Sequence, residues 1–283
     1  MKTGLILGFF DGVHAGHRAV IESAFEYSDN VILVTFKESP AVYFGQKAEY
    51  IMSRQKSLEK IKSLGVHKIV QLDFSKIANM TAEQYLEYLI INYSPVSIST
   101  GFNHTFGFGK AGTPDFLYKN QNRYNYKYIC VGPIVENNQT ISSTLIRNLL
   151  VNGNIDQANK LLESKFTVMG NVISGKQIGR KIGFPTANLE YPANTVRIPY
   201  GVYKSVVHYD NKELKAITNW GMKPTLNNTF KPVLETHIFN FSGDLYGKQI
   251  EIAIEKRIRG EIKFDSLDEL KTQITKDVQL CLE

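Results

Sequence analysis

The segment Gly8-Phe9-Phe10-Asp11-Gly12-Val13-His14-Ala15-Gly16-His17 limits the architecture of this 283-residue chain more than any other stretch. It follows the apolar run Leu5-Ile6-Leu7 and precedes helical spacing over 17–27, with Val20, Ile21 and Phe25 apolar. A strand that passes through glycines straight into a helix is the entry unit of an open α/β sheet. Such sheets bind ligands beyond the carboxyl ends of their strands. Gly12 and Gly16 let the backbone approach a phosphate, and the helix N-terminus at His17 offers a positive dipole end. Two imidazoles can donate hydrogen bonds as charge builds on phosphorus. One histidine near a turn is ordinarily a surface residue. Two that bracket a glycine at a strand-to-helix turn point to a site. His14 and His17 are the expected catalytic pair, and Gly8, Phe10, Asp11 and Gly12 the expected binding turn.

The rest of the first half alternates in the same manner. Asn30–Phe36 (NVILVTF) is a near-continuous apolar run of the kind buried on both faces of a parallel sheet. Ser53 starts a helical pattern that stops at Gly65, and Thr81 with Gln84 forms a capping box ahead of Tyr85, Leu86 and Leu89. Lys68–Leu72, Val96–Ser99 and Tyr128–Val131 complete the strands. Strands alternating with helices predict a doubly wound α/β sheet. After a helical segment over Asn154–Glu163 the pattern changes. Strand signals recur at 167–174, 202–209, 214–218, 233–239 and 249–255 with turns but no helices between them, and a helix closes the chain. That succession suggests an antiparallel barrel. The expected organisation is a first domain over 1–152, a linker helix over 153–165 and a second domain over 166–283.

Composition narrows the class. The chain is 43% hydrophobic and 21% charged, with net charge +6. Its lysines and arginines are dispersed, which favours small phosphate ligands over nucleic acid. No stretch approaches the ~20 apolar residues of a membrane span, and no signal peptide is evident, so a cytoplasmic protein is expected. Two cysteines make no disulfide framework. Cys130, inside the apolar run Tyr128–Val131, is expected to be a buried strand residue.

A second set of residues, Ser142-Ser143-Thr144-Leu145-Ile146-Arg147, opens a helix. A serine N-cap alone would explain its start. Three hydroxyls with an arginine one turn later also make a phosphate site, in which Arg147 holds departing pyrophosphate charge. Gly107-Phe108-Gly109-Lys110-Ala111-Gly112 matches G-x-G-x-x-G, but six residues separate it from the preceding strand, against a dinucleotide fingerprint. In the second half Gly170, Gly175, Gly179 and Gly183 punctuate a strand and its following loop, which ends Phe184-Pro185-Thr186-Ala187-Asn188. The loop reads either as a flexible hairpin or as a phosphate cradle with neutral oxygens from Thr186 and Asn188 for Mg²⁺. Glu235 shares a strand face with His237 and Phe239. It is either a solvated strand glutamate or a general base beside a hydroxyl.

Together the H-x-G-H and S-S-T-x-x-R residues resemble the nucleotidyltransferase superfamily. The run Gly170 to Asn188 is similar to the loop and P-T-A-N motif of riboflavin kinases. Pro199–Tyr203, Asn219-Trp220-Gly221-x-x-Pro224-Thr225, Glu235–Ile238, Leu245–Gly247 and Arg259 through Leu267 follow in that family's order. Nearly the whole chain resembles the prokaryotic bifunctional riboflavin kinase/FMN adenylyltransferase family. The resemblance implies a Rossmann-like nucleotidyltransferase domain followed by a six-stranded antiparallel β-barrel with a C-terminal helix. It implies riboflavin, FMN and ATP as substrates, FMN and FAD as products, Mg²⁺ as cofactor, and no nucleic-acid or membrane partner. His14, His17, Ser143, Thr144 and Arg147 would bind ATP phosphates, and Asn103 would lie near nucleotide and flavin. Gly170, Gly175, Gly179, Arg180, Gly183, Pro185 and Asn219 would build the kinase site, Thr186 and Asn188 would ligate Mg²⁺, and Glu235 would take the proton of the riboflavin 5′-hydroxyl. Many members carry Asn where Phe9 stands and an aromatic where His104 stands. The alternatives are a riboflavin kinase whose first domain has altered or lost specificity, and a non-catalytic flavin-binding regulator.

Overall fold

A computed structural model of the chain describes residues 1–175, 177–224 and 230–282. They fall into two compact units, Met1–Tyr50 with Arg54–Leu145 and Ile51–Ser53 with Ile146–Glu283. Thr225, the last residue of the Asn219–Thr225 match, lies outside the described residues.

In the first unit the elements run β1 (Thr3–Leu7), α1 (Ala15–Phe25), β2 (Asn30–Phe36), α2 (Pro40–Tyr43), α3 (Arg54–Ser63), β3 (Lys68–Leu72), α4 (Ala82–Tyr93), β4 (Ser97–Gly101), α5 (Pro114–Asn120) and β5 (Lys127–Val131). A short hairpin, β6 (Val135–Glu136) and β7 (Gln139–Thr140), leads to α6 (Ser143–Val151), which continues into the second unit. The five main strands form one parallel sheet in the order β3-β2-β1-β4-β5. Strand β1 shows why the sheet is covered on both sides. Leu5 and Leu7 pack with Tyr85, Leu86 and Leu89 of α4, whereas Ile6 packs with Val20, Ile21 and Ala24 of α1. The capping box of α4 forms as expected, with Thr81 Oγ1 accepting from the Gln84 N–H and Gln84 Oε1 accepting from the Thr81 N–H. The sheet order reverses between β1 and β4, which opens a crevice at their carboxyl ends.

Two expectations are corrected. Helix α1 starts at Ala15 rather than at His17, because His14 is extended (φ −125°, ψ 173°) and serves as its N-cap. Cys130 is exposed, not buried. It sits on β5, the sheet edge, with a strand neighbour on one side only.

The second unit continues with α7 (Ile155–Leu161), β8 (Thr167–Ile173), α8 (Ile178–Lys181), β9 (Ala187–Glu190), β10 (Gly201–Tyr209), β11 (Lys212–Pro224), β12 (Phe230–Ile238), β13 (Gln249–Arg259) and α9 (Leu267–Leu282). Its six strands close into an antiparallel barrel in the order β10-β11-β12-β9-β8-β13. Alternation decides what fills it: Leu189, Trp220, Leu234 and Ile252 form the buried core together with Ile155 and Ala158 of α7. Buried hydroxyls satisfy one another across three strands, Ser205 to Thr218 at 2.8 Å and Thr218 to Thr236 at 2.9 Å. Helix α9 is capped by Ser266, whose Oγ accepts from the Glu269 N–H.

Candidate active sites

In the first unit a cavity of about 380 Å³ lies in the crevice beyond β1 and β4. The turn after β1 supplies Gly8, Phe10, His14 and His17 to its wall, the loop after β4 supplies Asn103 and His104, and the start of α6 supplies Ser143 and Thr144. Residues distant in sequence are tied together here, since Ser143 Oγ donates to the Asp11 carbonyl at 2.9 Å. Asp11 and Gly12 are not part of the wall. They shape the turn, with Asp11 buried and both Phe10 and Gly12 at positive φ (60° and 61°). The Phe10 ring packs 4.8 Å from that of His17.

His14 Nδ1 accepts the His17 N–H at 3.4 Å, and the two rings stack at 3.7 Å. Burial pushes the His14 pKa down to about 4. A neutral ring that accepts at Nδ1 carries its proton on Nε2, so Nε2 is the donor left for a ligand. Gly16 gives the His14 ring room, because a Cβ there would sit a tight 3.1 Å from it. Arg147 follows Thr144 on the same helix, one turn after Ser143.

Sequence reasoning missed Arg54. Its guanidinium donates to the carbonyls of Phe9 (2.7 Å) and Phe36 (2.9 Å) and to Thr35 Oγ1 (2.6 Å), and it lies 4.4 Å over the Phe9 ring. It fixes the turn after β1. A lone arginine at a helix start gives no warning of this. The G-x-G-x-x-G stretch serves local packing: Gly107 (φ 71°) lies against the Ala82 backbone, and the Phe108 N–H donates to the Met80 carbonyl at 2.7 Å.

In the second unit, strand register aligns Asn219, Glu235 and Asn188 across β11, β12 and β9. Paired residues share a face, and Leu234, Leu189 and Trp220 take the opposite, core-facing side. Two cavities border these strands, and one of them takes in Asn219 and Glu235 from the row, while Asn188 lines neither. One, of about 360 Å³, is lined by Asn219, Glu235 and Thr186, by Arg259 and Glu261, and by Leu270, Ile274 and Asp277 from the last helix. The other, of about 640 Å³, is lined by Arg180, Pro185, Thr186 and Thr236 and by the segment Phe241–Tyr246. Thr186 borders both.

The loop after β8 reaches this position through close contacts. A Cβ on Gly175 would sit 2.6 Å from Asn188 Nδ2, and His237 Nδ1 bonds the Pro185 carbonyl at 2.8 Å. Asn188 Nδ2 donates weakly to the Thr186 carbonyl at 3.4 Å. Gly183 takes a positive φ of 91° at the turn before Phe184, and Gly179 lines the smaller cavity. Gly170 stands apart, mid-strand in β8 opposite Ile250 and packed against Leu189. Ser242-Gly243-Asp244, whose residue types signal only a turn between strands, also belongs to the larger cavity wall. The contribution of α9 was missed too.

Thr186 and Asn188 supply neutral oxygens only, and among the described residues no group of three or more acidic, histidine or cysteine side chains is placed to hold a metal ion. Such a donor set fits a magnesium ion whose charge is met chiefly by nucleotide phosphates. No helix among the described residues is long and apolar enough to cross a membrane.

Comparison with known proteins agrees with this division. The FAD synthetase family model matches residues 1–145, and the riboflavin kinase family model matches residues 162–283. The chain is therefore an ATP-dependent transferase that carries two catalytic families in tandem. Curated relatives named bifunctional riboflavin kinase/FMN adenylyltransferase include those of Haemophilus influenzae, 34% identical over 97% of this chain and 92% of the relative, and Bacillus subtilis, 33% identical over 98% and 91%. A solved structure described as a macrolide-efflux protein from Streptococcus pneumoniae is 31% identical, covers 100% of this chain and 94% of its own, and superposes with a TM-score of 0.91. The chain belongs to the bifunctional riboflavin kinase/FMN adenylyltransferase family.

Proposed function

We propose that the two units run successive steps: the barrel phosphorylates riboflavin to FMN, and the parallel-sheet unit adenylylates FMN to FAD, with ATP consumed at each. The observation that carries this reading is that Thr186 borders two adjoining cavities, with Glu235 on the wall of one of them. One cavity takes ATP and the other the flavin acceptor. Phosphoryl transfer needs positioning and charge stabilisation more than covalent chemistry. Glu235 takes the proton of the riboflavin 5′-hydroxyl as that oxygen attacks the γ-phosphorus, and ADP leaves. Asn219, beside Glu235 in register, orients the hydroxyl. Thr186 and Asn188 would hold Mg²⁺, which would neutralise phosphate charge when bound. The backbone of the loop containing Gly175, Gly179 and Gly183 cradles phosphates, with Arg180 at the rim.

In the sheet unit an FMN phosphate oxygen attacks the α-phosphorus of ATP and pyrophosphate leaves. His14 donates through Nε2 to the phosphates, His17 and the hydroxyls of Ser143 and Thr144 share the charge, and Arg147 takes up the pyrophosphate. Asn103 contacts the flavin or the adenosine from the β4 side. Residues 1–152 form the adenylyltransferase domain, 153–165 the linker and 166–283 the kinase domain, in the cytoplasm. Incubating the purified chain with riboflavin, ATP and Mg²⁺ and resolving the flavins by chromatography tests the reading. FMN accumulating and then converting to FAD supports it; FMN alone leaves the first unit without its proposed reaction.

A further inference from the structure

The first cavity contains a polar group that the proposed reaction does not use. His104 follows β4 in the sequence Gly101-Phe102-Asn103-His104, and its N–H closes a turn onto the Gly101 carbonyl at 3.1 Å. Its ring lines the cavity and stacks on Phe106 at 5.8 Å. Nε2 is closed off from solvent and has no hydrogen-bond partner among the described residues. A buried N–H without an acceptor is costly, and a bare ring nitrogen in the same place is less so. Burial pushes the ring's pKa down to about 4, so it is neutral and carries one N–H. With Nε2 closed off and unpartnered, that proton belongs on Nδ1, the other nitrogen of a ring that lines the cavity.

We propose that His104 is a specificity residue of the first cavity, donating from Nδ1–H to a ring-edge acceptor, a carbonyl oxygen or an aza nitrogen, of the heteroaromatic ligand bound there. The inference rests on the reading that this cavity takes FMN and ATP. Both flavin and adenine present such an edge. A phenylalanine at this position would keep the stacking on Phe106 and lose the hydrogen bond, so the imidazole adds a polar selection that a plain aromatic lacks.

The test is adenylyl transfer from supplied FMN, followed by FAD formation in H104F, H104N and H104Q chains. The Asn amide overlays Nδ1, and the Gln amide overlays Nε2. H104F is expected to raise one KM by roughly five- to tenfold, the size of one lost neutral hydrogen bond, with kcat little changed. A rise in KM for FMN assigns the flavin edge, and a rise for ATP the adenine edge. H104N restores that KM and H104Q does not. Unchanged KM values for both substrates in H104F, or rescue by Gln instead of Asn, overturn the proposal. Thermal melting checks folding, and the Asn–Gln contrast carries the test if the Phe variant does not fold. An unsubstituted chain that makes no FAD overturns the underlying reading, and this inference with it.

Discussion

Asp277→Asn is the most informative structural perturbation of the barrel. The Asp277 side chain, 2% exposed, receives Arg259 Nε at 2.9 and 3.1 Å and Nη2 at 2.7 Å, with Gln273 Nε2 at 2.8 Å. This pair joins the end of β13 to α9, and both residues line the smaller cavity. Removing one partner of a buried pair costs ~3–5 kcal/mol, because the other charge stays buried. Asn preserves the shape and one acceptor, and Arg259 keeps its bond to the Gly260 carbonyl at 2.9 Å. The loss therefore falls at the low end, about 3 kcal/mol, which lowers the melting temperature of the barrel unit by roughly 10 °C. Calorimetry reads the shift. Steady-state assays should show a raised KM for riboflavin in FMN formation and unchanged FAD formation from supplied FMN. A melting shift below about 2 °C would refute the claim that this ion pair holds the helix against the barrel.

Gly175→Ala places a methyl 2.6 Å from Asn188 Nδ2, so FMN formation should fall by at least tenfold (~1.4 kcal/mol of misplacement) while FAD formation from FMN is retained. Stability should also depend on acid. His14 and His104 have pKa values near 4 when folded against 6.5 ordinarily, so between those values the unfolded chain takes up protons that the folded first unit does not. Stability is therefore full above about pH 6.5 and falls as pH drops towards 4. Denaturant midpoints across that window should show the decline, and His14→Asn, which keeps an N-cap acceptor, should remove the His14 share of it and leave that of His104.

Much of the fold was legible because local patterns decide it. The run Asn30–Phe36 reads as a doubly covered strand, Thr81 and Gln84 mark a helix start, and the alternation Leu234-Glu235-Thr236-His237-Ile238 assigns Glu235 to the outer face of its strand. Features set by distant partners were not legible. The Asn219–Glu235–Asn188 row depends on the register of three strands, two of them far apart in sequence. The Arg259–Asp277 pair needs α9 docked on the barrel, and Arg54 acts only once β1 and β2 lie side by side. Cys130 was misread because an apolar run does not reveal which strand ends at the sheet edge. Assigning the start of α1 to His17 overlooked that an imidazole nitrogen can cap a helix as a serine oxygen does.

The central claim is that two chemistries occupy two independent sites, and paired substitutions test it most directly. Glu235→Gln and His17→Ala chains are assayed separately for FMN formation from riboflavin and for FAD formation from FMN. Glu235→Gln should abolish the first and spare the second, and His17→Ala should do the reverse. If either substitution, in a chain that remains folded, stops both reactions, the account is contradicted.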